Sequence, residues 1–287
     1  MSTAKYRGKY NNRFRRIGER VLDIALLGGL LARWSYQSGL HGRLAVTRHE
    51  VSLETGRLPK PLTLAFASDF HAGPTTHPGI FSELFEKIAE HKPDLLLLGG
   101  DFVSCRAKYI SALTEGLSRC QPPLGKFAVF GNHDLWTDDA YLQQALKAAG
   151  VTVLVNKSVA LPAPFDRVYV CGMDDPWTGN ADATATFANA ATEDAVRLLL
   201  MHAPDGLLLL GREKFDIGFA GHTHGGQIAL KDGTPILVPH GPLCRQYCHG
   251  RYEVQGNGNL IVSRGVGCST LPVRINAAPE LILCRLT

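Results

Sequence analysis

Five short polar clusters, each directly after an apolar run, hold the residue types able to do chemistry in this chain. They read Ser68-Asp69-Phe70-His71, Gly99-Gly100-Asp101, Gly131-Asn132-His133-Asp134, the single His202, and Gly221-His222-Thr223-His224. Carboxylate, imidazole and amide oxygen together form a ligand set for divalent transition metals. Asp69 and His71 stand two residues apart, so in an extended segment both side chains point the same way and can reach one ion. Glycines at 99, 100, 131 and 221 permit tight turns and close backbone approach beside such ions. Taken singly, each cluster has a plain structural use: an Asp after a strand caps a helix, Gly-Asn-His makes a turn, a lone His fills a core. Their recurrence after five apolar runs is what sets them apart.

The elements that must position these clusters are short and buried. Apolar runs at Leu62–Ala67, Leu95–Leu98, Phe127–Phe130, Val151–Val155, Val168–Val170, Leu198–Met201 and Ile217–Ala220 read as strands. Helical patterns at Ile80–Glu90 and Ala140–Ala149 lie between them, and late runs at Leu260–Val262 and Leu281–Leu283 add further strands. The class is α/β, and α/β folds place ligand-binding loops at the carboxyl ends of their strands, where the five clusters fall. With no internal repeat or low-complexity linker, residues 58–287 read as one domain.

The motifs D-x-H (Asp69, His71), G-G-D (Gly99–Asp101), G-N-H-D (Gly131–Asp134), His202 and G-H-T-H (Gly221–His224) resemble the calcineurin-like metallophosphoesterase superfamily, over about Leu62 to Ile228. Gly225-Gly226-Gln227-Ile228 and the tail from Ser263-Arg264-Gly265 through Leu271-Pro272-Val273-Arg274 to Pro279-Glu280 are similar to a bacterial branch of membrane-associated phosphodiesterases, one that includes a lipid A pathway pyrophosphatase acting on UDP-2,3-diacylglucosamine. The resemblance implies a four-layer αββα sandwich, two mixed sheets flanked by helices, with the metal site at the strand C-terminal ends. It implies one metal on Asp69, His71, Asp101 and His224 and a second on Asp101, Asn132, His202 and His222, with Asp101 bridging. Two cations roughly 3.5–4 Å apart can generate a bridging hydroxide from water and clamp a phosphoryl group for in-line attack. His133, not a ligand by this analogy, would stabilise the transition state or protonate the leaving oxygen, and Asp134 would orient it. The mixed donor set accepts manganese, iron or zinc, with manganese frequent in the family.

Arg106, Arg245, Arg251, Arg264 and Arg274 lie in loops around the motifs and are candidates to meet further phosphates of a substrate. Trp136, Trp177, Phe102 and Tyr247 are candidates for an apolar or base-stacking wall. The leading expectation is a phosphodiesterase or pyrophosphatase acting on a substrate with an apolar part. A soluble cyclic nucleotide or small diester is the second, and a metal-free interaction scaffold is the alternative from another class.

Charge is unevenly placed. Residues 1–50 hold ten Lys/Arg against three acids, a net +7, while the remaining 237 carry a net −3. An acidic body lacks the basic groove that phosphate tracking needs, so no nucleic-acid partner is expected. Within residues 1–57, Arg13, Arg16, Arg20 and Asp23 share a helical stripe over 13–34, opposed by Ile17, Val21, Ile24, Leu27, Leu31 and Trp34. Three readings fit: an interfacial helix on an anionic membrane, at the cytoplasmic face of the inner membrane; a twin-arginine export signal at Arg15-Arg16; or a helix packed on the protein's own core. Seven scattered cysteines suit a reducing compartment, and Cys244, Cys248 and His249 lack the second ligand pair of a zinc site.

Overall fold

Two six-stranded sheets lie face to face, and the alternation of side chains along their strands decides what each face buries. The first sheet has the order β1 (Ala45–Val51), β12 (Glu280–Leu286), β2 (Leu62–Ala67), β3 (Leu95–Leu98), β4 (Lys126–Ala128), β5 (Thr152–Val153). The second runs β10 (Gly250–Glu253), β11 (Asn259–Val262), β9 (Ile217–Ala220), β8 (Val196–Leu200), β7 (Val168–Gly172), β6 (Lys157–Ala160). Both are mixed: β2 to β5 are mutually parallel, as are β7, β8, β9 and β11, while β12 on β2, β6 on β7 and β10 on β11 are antiparallel. The helices are α1 (Leu30–Gln37), α2 (Gly79–His91), α3 (Ser111–Arg119), α4 (Asn132–Leu135), α5 (Asp139–Ala148) and α6 (Ala183–Phe187). The computed structural model describes Gly18, Val21 and residues 24–54 and 56–287.

Leu62, Leu64 and Phe66 of β2 point between the sheets, toward Val170, Leu198 and Phe219. Phe66 and Phe219 meet there with ring centroids 5.4 Å apart. Ala65 and Ala67 face the other way, onto Ile80, Leu84, Leu113, Leu117 and Leu142 of the helices. On the outer face of the second sheet, Cys171, Leu199, Ala220 and Val262 are covered by Phe187 and Ala190. The layers are therefore α, β, β, α, as expected. Truncating a fully buried side chain such as Phe66 to alanine would cost about 3–5 kcal/mol.

Differences from the sequence reading fall at the sheet edges. β1 lies inside the segment 1–57 set apart by charge, yet it pairs in parallel with β12 from Ala45↔Glu280 to Val51↔Leu286, so the first sheet begins upstream of residue 58. β1, β6 and β10 alternate between buried or half-buried and exposed positions, so none shows the apolar run that marks an inner strand. β4 begins on buried Lys126, whose Nζ donates to the carbonyls of Leu117, Cys120 and Ala149 and so caps the ends of α3 and α5. The helix expected over 13–34 is interrupted before α1, where Gly28 and Gly29 take φ of 61° and 101°. Arg13, Arg15, Arg16, Ile17, Arg20 and Asp23 lie outside the described residues. Among the described residues no helix is long and apolar enough to cross a membrane.

Candidate metal centre

The five clusters meet at the carboxyl ends of β2, β3, β4, β8 and β9. Backbone bonds weave the first two loops together: Asp69 N donates to Gly100 O and His71 N to Asp101 O, both at 2.9 Å. Asp69 and His71 are not extended, contrary to the spacing argument. They take φ of 53° and 44°, and Asp101, His222 and His224 are also left-handed, at 52°, 70° and 54°. Five non-glycine residues in this region cost of order 1–3 kcal/mol each, which the surrounding bonds must hold in place, and such strain concentrates at functional sites. Two glycines are required for close approach. A Cβ on Gly131 would collide with Asp101 Oδ1 and His202 Cε1, and one on Gly221 with Asp69 Oδ2 and Ser68 Oγ.

Three groups of ligand-type atoms lie within 4.8 Å of one another: Asp69, His71 and His224; Asp101, His202 and His222; and His71, Asp101 and His133. His71 Nε2 is 3.0 Å from His224 Nε2 and 3.5 Å from Asp101 Oδ2, and His224 Nε2 is 3.5 Å from Asp69 Oδ1. His202 Nε2 is 3.4 Å from Asp101 Oδ2, 3.1 Å from Asn132 Oδ1 and 3.2 Å from His222 Nδ1. Asp101 Oδ2 thus joins the two groups. All seven expected ligands are brought together, and all are largely buried except His222, which is partly exposed.

The protonation pattern asks for a cation. His202 Nδ1 donates to Gly99 O at 2.7 Å, which leaves the Nε2 lone pair facing the oxygens of Asp101 and Asn132. Burial opposes charge on His202, but Asp101, Asp69 and Asp175 override it and raise its pKa well above the usual range, so these carboxylates hold positive charge at Nε2, where a metal ion would take the place of the proton. Burial likewise works to raise Asp101, but the imidazoles of His202, His133 and His71 win and hold it well below the usual carboxylate range. Burial pushes Asp69 up to about 6, against the pull of His202 and its bonds from Ser68 and the His222 amide. Burial lowers His71 and His224 well below 6.5, and His222 to about 3, keeping these rings neutral and available as donors of a lone pair. Converging lone pairs around an ionised Asp101 fit divalent metal, and Asp69, His71, Asp101, Asn132, His202, His222 and His224 would hold it.

Asp134 and His133 do not act as a pair. Both Asp134 oxygens serve backbone amides: Oδ1 accepts from Phe102 N (2.8 Å) and Val103 N (3.3 Å), and Oδ2 from Gly131 N (3.0 Å). Adjacent residues of a helical turn point apart, which leaves Asp134 binding two ligand loops together. His133 is oriented instead by Ser104 O, which accepts from its Nδ1 at 2.7 Å, and its ring lies edge-on to His71 and 4.6 Å from Trp136. Ser104 also donates from Oγ to His71 O. Sequence reasoning missed Ser104, and read Gly99 only as a turn glycine, because both hold a histidine ring through carbonyls, which every residue carries.

His71, Asp101, Asn132, His222 and His224 floor a cavity of about 560 Å³ whose walls are Trp136, Trp177, Ile228, Ile236, Leu237 and Leu271, with His240 beside Trp177. Of the four expected aromatics, the two tryptophans line it. Phe102 stacks on Phe70 in the core and Tyr247 packs on Tyr252. No candidate arginine lines it. Arg274 is 5% exposed, with Nε and Nη2 on Gly267 O and Nη1 on Ala277 O, and Nη2 lies 3.2 Å from His224 Nδ1, so it braces the metal loop rather than meeting solvent-borne phosphate. Arg264 pairs with Glu280, Arg251 with Asn259 and Glu50 O, Arg245 is exposed and Arg106 half-buried outside the cavity. Cys244 donates to Asp205 at 3.0 Å, and neither it nor Cys248 joins a metal-type group among the described residues.

A family profile described as calcineurin-like phosphoesterase matches residues 62–226, a span that contains all seven ligands. Phosphodiesterase YaeI of Escherichia coli (strain K12) is 32% identical over 235 residues, 79% of this chain and 82% of that protein. The uncharacterized metallophosphoesterase YkuE of Bacillus subtilis (strain 168) is 32% identical over 203 residues, covering 69% and 70%. An uncharacterized metallophosphoesterase of Aquifex aeolicus (strain VF5) is 30% identical over 243 residues, covering 81% and 88%. A profile match over more than half the chain, with the buried ligand cluster at its centre, places this protein in the calcineurin-like phosphoesterase family, as a metal-dependent phosphoric ester hydrolase.

Proposed function

We propose that this chain is a phosphodiesterase or pyrophosphatase for a lipid-linked substrate, of the chemical kind of UDP-2,3-diacylglucosamine, and works at a membrane surface to which its basic N-terminal segment is drawn. The observation that carries this reading is the cavity itself, with a charged floor of ligands under an apolar wall of Ile228, Ile236, Leu237 and Leu271. A phosphoryl group suits the floor and an acyl or other apolar part suits the wall. The similarity to a named phosphodiesterase supports diester chemistry.

Two divalent cations held by these ligands supply Lewis acidity toward a phosphoryl oxygen and lower the pKa of water. The chain's own residues do the rest. Asp101, fixed by its Oδ1 bond from His133 N at 2.8 Å, keeps the two ligand groups in register. His202 is locked in one tautomer by Gly99 O, so its Nε2 lone pair stays directed at the site. His133, with Nδ1 held on Ser104 O, has Nε2 to exchange a proton with the leaving oxygen. Trp136 packs against its ring at a tilt of 58°, centroids 4.6 Å apart.

The test is a manganese-supplemented assay comparing UDP-2,3-diacylglucosamine, cyclic nucleotides and a phosphomonoester, with products identified by mass. Preferred turnover of the acylated diphosphate supports the reading. Preference for a cyclic nucleotide, whose base would stack on Trp136 or Trp177, replaces it with the soluble-diester alternative.

A further inference from the structure

We infer that the mouth of this cavity is itself a docking surface, and that its occupant is a bilayer containing anionic lipid. Leu237 is 75% exposed, and Leu230, Ile236, Leu271 and Ile275 are 52%, 51%, 53% and 44% exposed. Scattered exposed apolar residues are ordinary, but these share one rim. Ile236 N donates to Ile228 O at 3.0 Å, Ala229 N to Ile275 O at 2.9 Å, and Gln227 Nε2 to Leu271 O at 2.8 Å. The rim continues into the N-terminal region through Arg274 N on Leu40 O at 2.9 Å. There α1 and the turn after it present Leu30, Leu31, Trp34 and Leu40, at 60%, 39%, 59% and 39% exposure.

Charge selects the occupant. Arg33 in α1, Arg43 after it and Lys231 next to Leu230 are exposed, with Asp232 beside Lys231. Upstream, residues 1–20 of the sequence add seven Lys/Arg against one acid. Leucine, isoleucine and tryptophan bordered by cations match a leaflet with anionic headgroups. Docked this way, the cavity opens into the headgroup layer, and the apolar part of a substrate passes from leaflet to cavity wall without crossing water. The docking shares the membrane setting proposed above, and that use of the surface rests in addition on the lipid-linked substrate.

The experiment is flotation of the full chain with vesicles of phosphatidylcholine alone and of phosphatidylcholine with phosphatidylglycerol. Wild type is expected to float with the mixed vesicles far more than with the neutral ones. A Leu230→Asp/Ile275→Asp variant, altered at two exposed positions outside the cavity lining, is expected to lose roughly tenfold or more of that partitioning. Its turnover of a soluble aryl phosphodiester should match wild type, which shows that it is folded. Equal flotation of variant and wild type overturns the inference, as does absence of wild-type flotation. A wild-type dimer that the same substitutions dissociate also overturns it, assigning the face to a second copy. Retained flotation without hydrolysis of a vesicle-embedded diphosphate upholds the docking surface and removes the substrate reading alone.

Discussion

Replacing Asp134 by asparagine separates a structural role from a catalytic one. The carboxylate accepts three amide hydrogens, from Phe102, Val103 and Gly131, and so ties the Gly100-Asp101 loop to the Gly131-Asn132 loop. Asparagine offers one acceptor oxygen. If it keeps Phe102 and Val103, its NH2 faces the Gly131 amide, donor against donor, in a fully buried site. Losing one buried hydrogen bond and stranding one buried N–H costs about 3 kcal/mol. In a domain of this size that lowers the melting temperature by roughly 6–12 °C. Because Asp101 and Asn132 ride on the two loops, metal affinity should fall with stability. The assay is thermal unfolding with and without manganese, beside the pH profile of diester hydrolysis. A large loss of turnover at unchanged melting temperature and metal affinity would refute this reasoning and return Asp134 to the role of orienting His133.

The other expectations concern single groups. His222→Ala or Asp101→Ala should abolish hydrolysis of an aryl phosphodiester while circular dichroism shows an intact fold, and retained activity would sink the dinuclear assignment. His133→Ala should lower turnover by about 10²–10⁴-fold with little change in bound metal; equal losses of both would make it a ligand. His41 is fully buried, and burial, reinforced by the charge of Arg274, depresses its pKa from 6.5 to about 4. The unfolded chain then binds more protons between these values, so stability is fully present above pH 6.5 and falls by roughly 3 kcal/mol as the pH drops toward 4. Urea midpoints across that range should decline less steeply for His41→Gln than for wild type, and parallel slopes would exclude His41 as the cause.

The inner strands and the candidate metal ligands were legible because both follow from local rules. A strand buried on both faces must be apolar throughout, as Leu95–Leu98 is, and the residues after it carry the donors. Edge strands obey no such rule, which is why Ala45–Val51, with its Thr47, Arg48 and Glu50, hid in a basic segment. The ligand positions were readable, but their conformation was not. Left-handed Asp69 and His71 depend on bonds to Gly100 O and Asp101 O, 31 and 30 residues away. Arginine in a loop beside a motif suggests phosphate, yet Arg274 is drawn inward by the carbonyls of Gly267 and Ala277, partners that leave no mark in sequence. The apolar wall at Ile236 and Leu237 was equally hidden, since it reaches the site through the fold of the loop after His224.

Asp101 lies within reach of both groups of candidate ligands, which makes one dinuclear hydrolytic centre of them. Titrating metal-stripped protein with manganese, while following bound metal and hydrolysis of an aryl phosphodiester on the same samples, tests it most directly. Activity should rise with occupancy to two ions per chain, and Asp101→Ala should lose both ions together. Full activity at one ion per chain, or an Asp101→Ala variant that still binds two, would contradict it.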